Sequence, residues 1–123
     1  APAETAEQVR ADLGAWTTHT FRSEGRLVAS VRVRRDPADA ATWQIGRLMV
    51  VPDLQGRGLG RGLLAYAEAL APHDVRRYWL NTGADQSRLL RMSKKAGYRT
   101  CGPGEGPGTV DLTKRRAGGQ TSR

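Results

Sequence analysis

The residues best suited to chemistry lie between positions 48 and 64. The apolar run Leu48-Met49-Val50-Val51 is closed by Pro52-Asp53 and leads through Leu54 and Gln55 into Gly56-Arg57-Gly58-Leu59-Gly60-Arg61-Gly62-Leu63-Leu64. A buried strand that turns through glycines into a helix presents free backbone N–H groups and the positive end of the helix dipole at one point. That combination is an anion site suited to phosphate. Arg57 and Arg61 bring charge to the same place. A triphosphate-binding loop needs Gly-Lys-Ser/Thr, where this chain has Gly60-Arg61-Gly62. The dinucleotide pattern Gly60-x-Gly62-x-x-Ala65 matches in form, but it sits inside the helix rather than in the turn before it, and Asp85 belongs to the next helix. A phosphate-bearing ligand remains. The plain alternative for Arg57 and Arg61 is a solvated basic helix face.

The whole chain supports the same preference for anions. It carries a net charge of +8 over 123 residues, with a pI near 10.8. Six Arg and six Asp/Glu cancel within residues 1–40, so the excess lies entirely in residues 41–123. Such a field attracts nucleotide phosphate, RNA or an acidic surface. Arg76, Arg77, Arg88, Arg91, Lys94 and Lys95 are the candidates for nucleic-acid contact. A mean hydropathy of −0.56 with 38% hydrophobic residues fits one soluble globular domain, and no apolar run approaches a membrane span. One cysteine, Cys101, and two histidines exclude an internal disulfide and a Cys/His zinc site, and imply a reducing, cytoplasmic setting. No signal-peptide pattern follows Ala1.

The elements that must position the glycine stretch follow from periodicity. Val9, Leu13 and Trp16 predict an amphipathic helix over residues 4–16. Residues 18–23 and 27–34 alternate around the Glu24-Gly25 turn and predict an antiparallel hairpin. Residues 43–51 read as a strand, Leu59 to Leu70 as a helix ending near Pro72, and residues 76–81 as a short strand. Asp85 is placed to cap a helix with an inner stripe of Leu89, Met92 or Ser93, and Ala96, stopped by Gly97 in a left-handed position. Residues 98–101 and 109–113 predict two further strands, and residues 114–123 a basic disordered tail. Hairpins combined with strand–helix–strand units imply a mixed sheet with helices packed on it.

The segment Gln55-x-x-Gly58-x-Gly60 resembles the acetyl-CoA motif of the GNAT superfamily of N-acetyltransferases, Gln/Arg-x-x-Gly-x-Gly/Ala. The resemblance extends without a gap from the strand at 45–51 to Lys95-Ala96-Gly97-Tyr98, where the family usually has Gly followed by an aromatic residue. It implies the acyl-CoA N-acyltransferase fold, an α/β (α+β) architecture with a mixed, mostly antiparallel twisted sheet flanked by helices. It implies that Leu48, Met49 and Val50 offer backbone groups to a pantetheine arm, and that Gly56, Arg57, Gly58, Leu59, Gly60 and Arg61 wrap a pyrophosphate. Family domains usually begin with a strand and one more helix ahead of the helix expected at 4–16. Residues 1–113 are therefore expected to form a domain lacking those elements, in a longer polypeptide.

The catalytic positions depart from the family pattern. In the gapless register the Glu often found on the fifth strand falls on Asn81, the helical Asn near the cofactor on Gln86, and the Tyr acid on Ser93. A second common Glu site falls on Gly46. Direct transfer needs a neutral amine, a polarised thioester carbonyl and a proton for the leaving thiolate. Ser93 or an ordered water stands as acid, and Asp85, His73 or His19 as substitute base, although each is more simply a cap or a surface residue. The resemblance implies acetyl transfer from acetyl-CoA to a primary amine, entering from the opposite side of a splayed sheet. The alternative is a non-catalytic CoA-binding or protein/RNA-binding domain of a larger enzyme. An upstream domain of the same polypeptide, RNA and a second copy of the chain are the other partners left open.

Overall fold

The computed structural model describes residues 4–10, 16–104 and 106–117. Seven strands form one sheet, β1 (Glu4–Arg10), β2 (Thr17–Ser23), β3 (Arg26–Asp36), β4 (Asp39–Val50), β5 (Arg77–Gly83), β6 (Arg99–Pro103) and β7 (Thr109–Arg115), in the spatial order β1-β2-β3-β4-β5-β7-β6. Every pairing is antiparallel except β4 with β5. The crossovers carry α1 (Leu59–Ala69) between β4 and β5, and α2 (Ser87–Lys95) between β5 and β6. The expected mixed, mostly antiparallel sheet with flanking helices is therefore what the chain adopts.

Strand alternation decides which face the helices cover. Val31 and Val33 of β3, Ile45 of β4, Leu80 of β5 and Leu112 of β7 are buried, with Leu63, Leu64 and Ala67 of α1 spaced to meet them. The Trp43 indole donates to the Ala67 carbonyl at 2.9 Å and fixes α1 over β4. At the far end of α1, Glu68 accepts from the Tyr98 hydroxyl at 2.7 Å and from the Lys114 ammonium at 3.1 Å. Burial, together with that carboxylate, pushes the Tyr98 phenol far above its ordinary value, so it stays a donor.

The structure departs from three expectations. Residues 4–10 form β1 rather than the start of a helix, while residues 11–15 lie outside the described residues. Glu4–Arg10 pairs in antiparallel register with Thr17–Ser23, so the open hydrogen-bonding edge of β2 outweighs the helix propensity of an Ala/Glu/Gln-rich segment. Trp16 is therefore not on a helical stripe. It precedes β2, and its ring lies under two guanidinium groups, Arg32 Cζ at 4.2 Å and Arg34 Cζ at 4.4 Å from its centroid. At the other end, β7 runs past Thr113 through Arg115. Arg116 then donates to the Pro72 and Val75 carbonyls, so Lys114–Arg116 is anchored rather than part of a tail. Finally, Gln86 and not Asp85 takes the N-cap position of α2, and no side-chain cap bond is made.

Candidate acyl-CoA site

The site begins where β4 and β5 part. Their parallel ladder covers only Thr42–Ile45 against Arg77–Leu80, and beyond the Ile45–Leu80 rung the strands separate. On its other side β4 shifts register against β3 between the Ser30–Met49 and Arg32–Gly46 pairs, and Arg47 there takes a left-handed φ of 49°. Such a bulge bends the strand away from its neighbour. Opposite the bulge, Asn81, Thr82 and Gly83 continue β5.

Between the parted strands opens a groove of about 630 Å³. Leu48, Met49 and Val50 line it from β4, and Gly56, Gly58, Gly60 and Arg61 from the glycine stretch. Gly58 takes the N-cap position of α1 at φ 81°, a conformation that glycine adopts without steric cost. The first helical bond runs from the Gly62 amide to the Gly58 carbonyl at 3.1 Å, and the Leu59, Gly60 and Arg61 amides ahead of it have no intrahelical acceptor. Neither a side-chain cap nor an acidic residue stands in that first turn. Gln55 steadies the turn by donating to the Val50 carbonyl at 2.9 Å.

The opposite wall is α2. Gln86, Arg88, Leu89, Arg91, Met92 and Lys95 line the groove, so α2 borders it along its whole length. Arg88, Arg91 and Lys95, three of the candidates for nucleic-acid contact, form the cationic wall of this groove, while Arg77 opens the far end of β5 just after Arg76. Their spacing of three and four residues was visible in the sequence, but which wall they face depends on the crossover.

The other expected residues fall unevenly. Arg57 is exposed and Leu59 is 38% exposed, and neither lines the groove, so any contribution from them comes through backbone. Ser93 is fully buried and donates its hydroxyl to the Leu89 carbonyl at 2.8 Å. It packs within the fold instead of facing the groove, which removes it as the acid. Asn81 lines the groove and, as an amide, offers no base. Its Nδ2 donates to Asp111 Oδ1 at 2.8 Å, across the β5–β7 ladder. Asp111 was missed because only the strand order brings residue 111 beside residue 81. Asp85 and His73 are exposed and line no part of the groove.

His19 is also remote from the groove. It is 7% exposed on β2, with Nδ1 3.0 Å from the Tyr66 hydroxyl and its ring edge-on to Tyr66. Desolvation lowers its pKa below the ordinary 6.5. The unfolded chain then binds more protons, so the stability contributed by neutral His19 is complete above 6.5 and declines as pH falls through that value. Thermal unfolding on either side of 6.5 should show this step, and His19→Gln should flatten it; an unchanged step in the variant would assign it elsewhere.

Among the described residues no helix is long and apolar enough to cross a membrane. No curated protein matches the chain in sequence. Solved structures do match its fold. An acetyltransferase from Thermus thermophilus superposes with a TM-score of 0.70 at 21% identity over 82% of this chain, which spans 64% of that one, less than two thirds. A GNAT family acetyltransferase from Elizabethkingia anophelis, with acetyl-CoA bound, superposes at 0.69 and 15% identity over 92% of this chain and 98% of that one. The PaiA N-acetyltransferase from Thermoplasma acidophilum, in complex with coenzyme A, gives 0.67 at 15% identity over 82% and 61%. The sequence profile of the acetyltransferase (GNAT) family matches residues 2–98, and on that match the chain belongs to the GNAT family.

Proposed function

We propose that this chain transfers an acetyl group from acetyl-CoA to a primary amine. The observation that carries the reading is the groove itself, closed at one end by unpaired α1 amides and a cationic α2 wall, and open between parted strands at the other. The first-turn amides at 59–61, with Arg61, would hold the diphosphate. Arg88, Arg91 and Lys95 would take further phosphate charge, and the backbone of 48–50 would pair with the amide arm. The amine nitrogen attacks the thioester carbon, the C–N bond forms as the C–S bond breaks, and the thiolate departs.

Asn81 supplies positioning at that end. Both of its side-chain hydrogen bonds use Nδ2, to Asp111 and to the Val110 carbonyl, so Oδ1 is free to accept an amine N–H. Asp111 fixes that orientation. The surplus amine proton passes to water, because no Asp, Glu, His, Cys or Tyr lines the groove among the described residues. Loss of one such hydrogen bond costs roughly 1–1.5 kcal/mol, so Asn81→Ala should lower kcat/KM about tenfold with little change in acetyl-CoA affinity. Equal activity in wild type and variant would remove Asn81 from the site.

The same lack of a groove base favours a second reading, a CoA-binding module without turnover. Calorimetry with acetyl-CoA and thiol release across an amine panel separate the two. Uptake with release supports transfer, uptake without release supports the module, and absence of uptake rejects both.

A further inference from the structure

The sheet has a second face, away from α1, and Asn81 at the groove belongs to it. Arg32 pairs with Gly46 across β3 and β4, and Asn81 pairs with Asp111 across β5 and β7. Gln44 and Trp79, each two residues earlier, face each other in the β4–β5 ladder. By alternation Arg32, Gly46, Asn81 and Asp111 therefore form one row across the sheet, on the face away from α1. Gly46 keeps that row open, for a Cβ at this position would lie 3.2 Å from Arg32 Nε.

Among the described residues the arginines at this row have no carboxylate partner. Arg32 Nε is buried without a hydrogen-bond acceptor, the one such side-chain atom among the described residues. Arg34 Nε donates to Gln44 Oε1 at 2.6 Å, a neutral partner. None of the ion pairs among the described residues includes Arg32, Arg34 or Arg47. Burial, and then the like charges of Arg47 and Arg34, weaken the proton affinity of Arg32. Trp16 holds the Arg32 and Arg34 guanidiniums by stacking, so their orientation is set before any ligand arrives. A buried, unsatisfied donor is costly, and a carboxylate or phosphonate seated against the same guanidinium offsets part of that cost.

We propose that the acceptor is an amine carrying an anionic group, its carboxylate or phosphonate held at Arg32 and Arg34 while its nitrogen reaches Asn81 at the parted strands. This rests on the transfer reading given above. The row supplies recognition at one end and the reacting position at the other, and Arg47, which lines the groove beside the bulge, adds positive potential between them. Cationic acceptors such as diamines would meet like charge at Arg32, Arg34 and Arg47 before they reach the Asn81–Asp111 pair.

Acetyl transfer by the whole chain should be measured with β-alanine, aminopropylphosphonate, neutral propanolamine and putrescine. The expected result is a kcat/KM for the anionic amines at least tenfold above propanolamine, with putrescine below it, and the better of the two anions names the group. Arg32→Gln should raise KM for the anionic amines about tenfold and collapse the preference, and Arg34→Gln serves if that variant does not fold. Calorimetry with N-acetyl-β-alanine against its neutral amide reads the same site without turnover. Acetyl-CoA uptake with equal affinities for that pair, or equal rates across the amines, overturns the anionic acceptor and leaves transfer standing. Binding of N-acetyl-β-alanine that is lost in Arg32→Gln, in a chain that takes up no acetyl-CoA, supports the anion site and rejects transfer.

Discussion

Gly58→Val should lose at least about 100-fold in acetyl-CoA affinity, roughly 3 kcal/mol, whereas Gly60→Ala should stay within about threefold of wild type. Gly58 takes the α1 N-cap position at φ 81°, and a β-branched side chain held there costs on the order of 1–3 kcal/mol. To relieve the strain the loop must turn, which redirects the free first-turn amides at 59–61. If the backbone holds, the new side chain occupies open space along the groove lining, where no protein atom lies within 4 Å. Either outcome removes the anion site. Gly60 differs because it is already helical, and an added Cβ meets only the Met92 methyl at 3.6 Å, an ordinary contact. Alanine is also the better helix former by about 1 kcal/mol, so Gly60→Ala should unfold at a slightly higher temperature. Calorimetry and thermal unfolding on both variants decide the matter. A Gly58→Val chain that binds acetyl-CoA like wild type would place the diphosphate somewhere other than this turn.

Local signals carried most of the architecture. Glu24-Gly25 between two alternating runs marks the β2–β3 hairpin, and both residues take the positive φ that the turn requires. The α1 stripe and the left-handed Gly97 that ends α2 are equally local, and both appear where periodicity places them. Long-range pairing decided the rest. Residues 4–10 have helix-forming composition, yet the unpaired edge of β2 recruits them as a strand, and no local pattern records that edge. Lys114 to Arg116 read as a tail because their partners, Glu68, Pro72 and Val75, lie more than forty residues earlier. The candidate site divides in the same way. The glycine turn is contiguous in sequence and could be read directly. The Asn81–Asp111 pair and the Arg32–Gly46 pair depend on strand order and on a register shift at Arg47. The family pattern points to Ser93, but the fold buries it and its hydroxyl donates to the Leu89 carbonyl.

The groove depends on the rung that closes it, which makes Leu80→Ala the most damaging single change expected in the core. Leu80 is fully buried, paired with Ile45 on one side and Leu112 on the other, both of them also fully buried. Three apolar side chains from adjacent strands thus abut at the point where β4 and β5 stop pairing. Truncating the middle one removes transfer free energy and leaves a void that flanking strands cannot fill, a loss of about 2–5 kcal/mol. Against a total of roughly 5–15 kcal/mol for such a domain, that is a large fraction. Denaturant unfolding should show the loss as a lower midpoint at unchanged slope. Leu59→Ala, at a 38% exposed position, should change stability by no more than about 0.5 kcal/mol. The defect should also reach the site. Asn81 follows Leu80 directly, and Gly46 and Arg47 follow Ile45, so a looser rung lets the parted ends of both strands drift. Acetyl-CoA affinity should therefore fall in Leu80→Ala at temperatures where the variant is still folded, and hydrogen exchange should rise first at residues 46–50 and 81–83. A variant that loses stability but binds and exchanges like wild type at those residues would show that the gap between β4 and β5 is held by the helices above it and not by the last rung of the ladder.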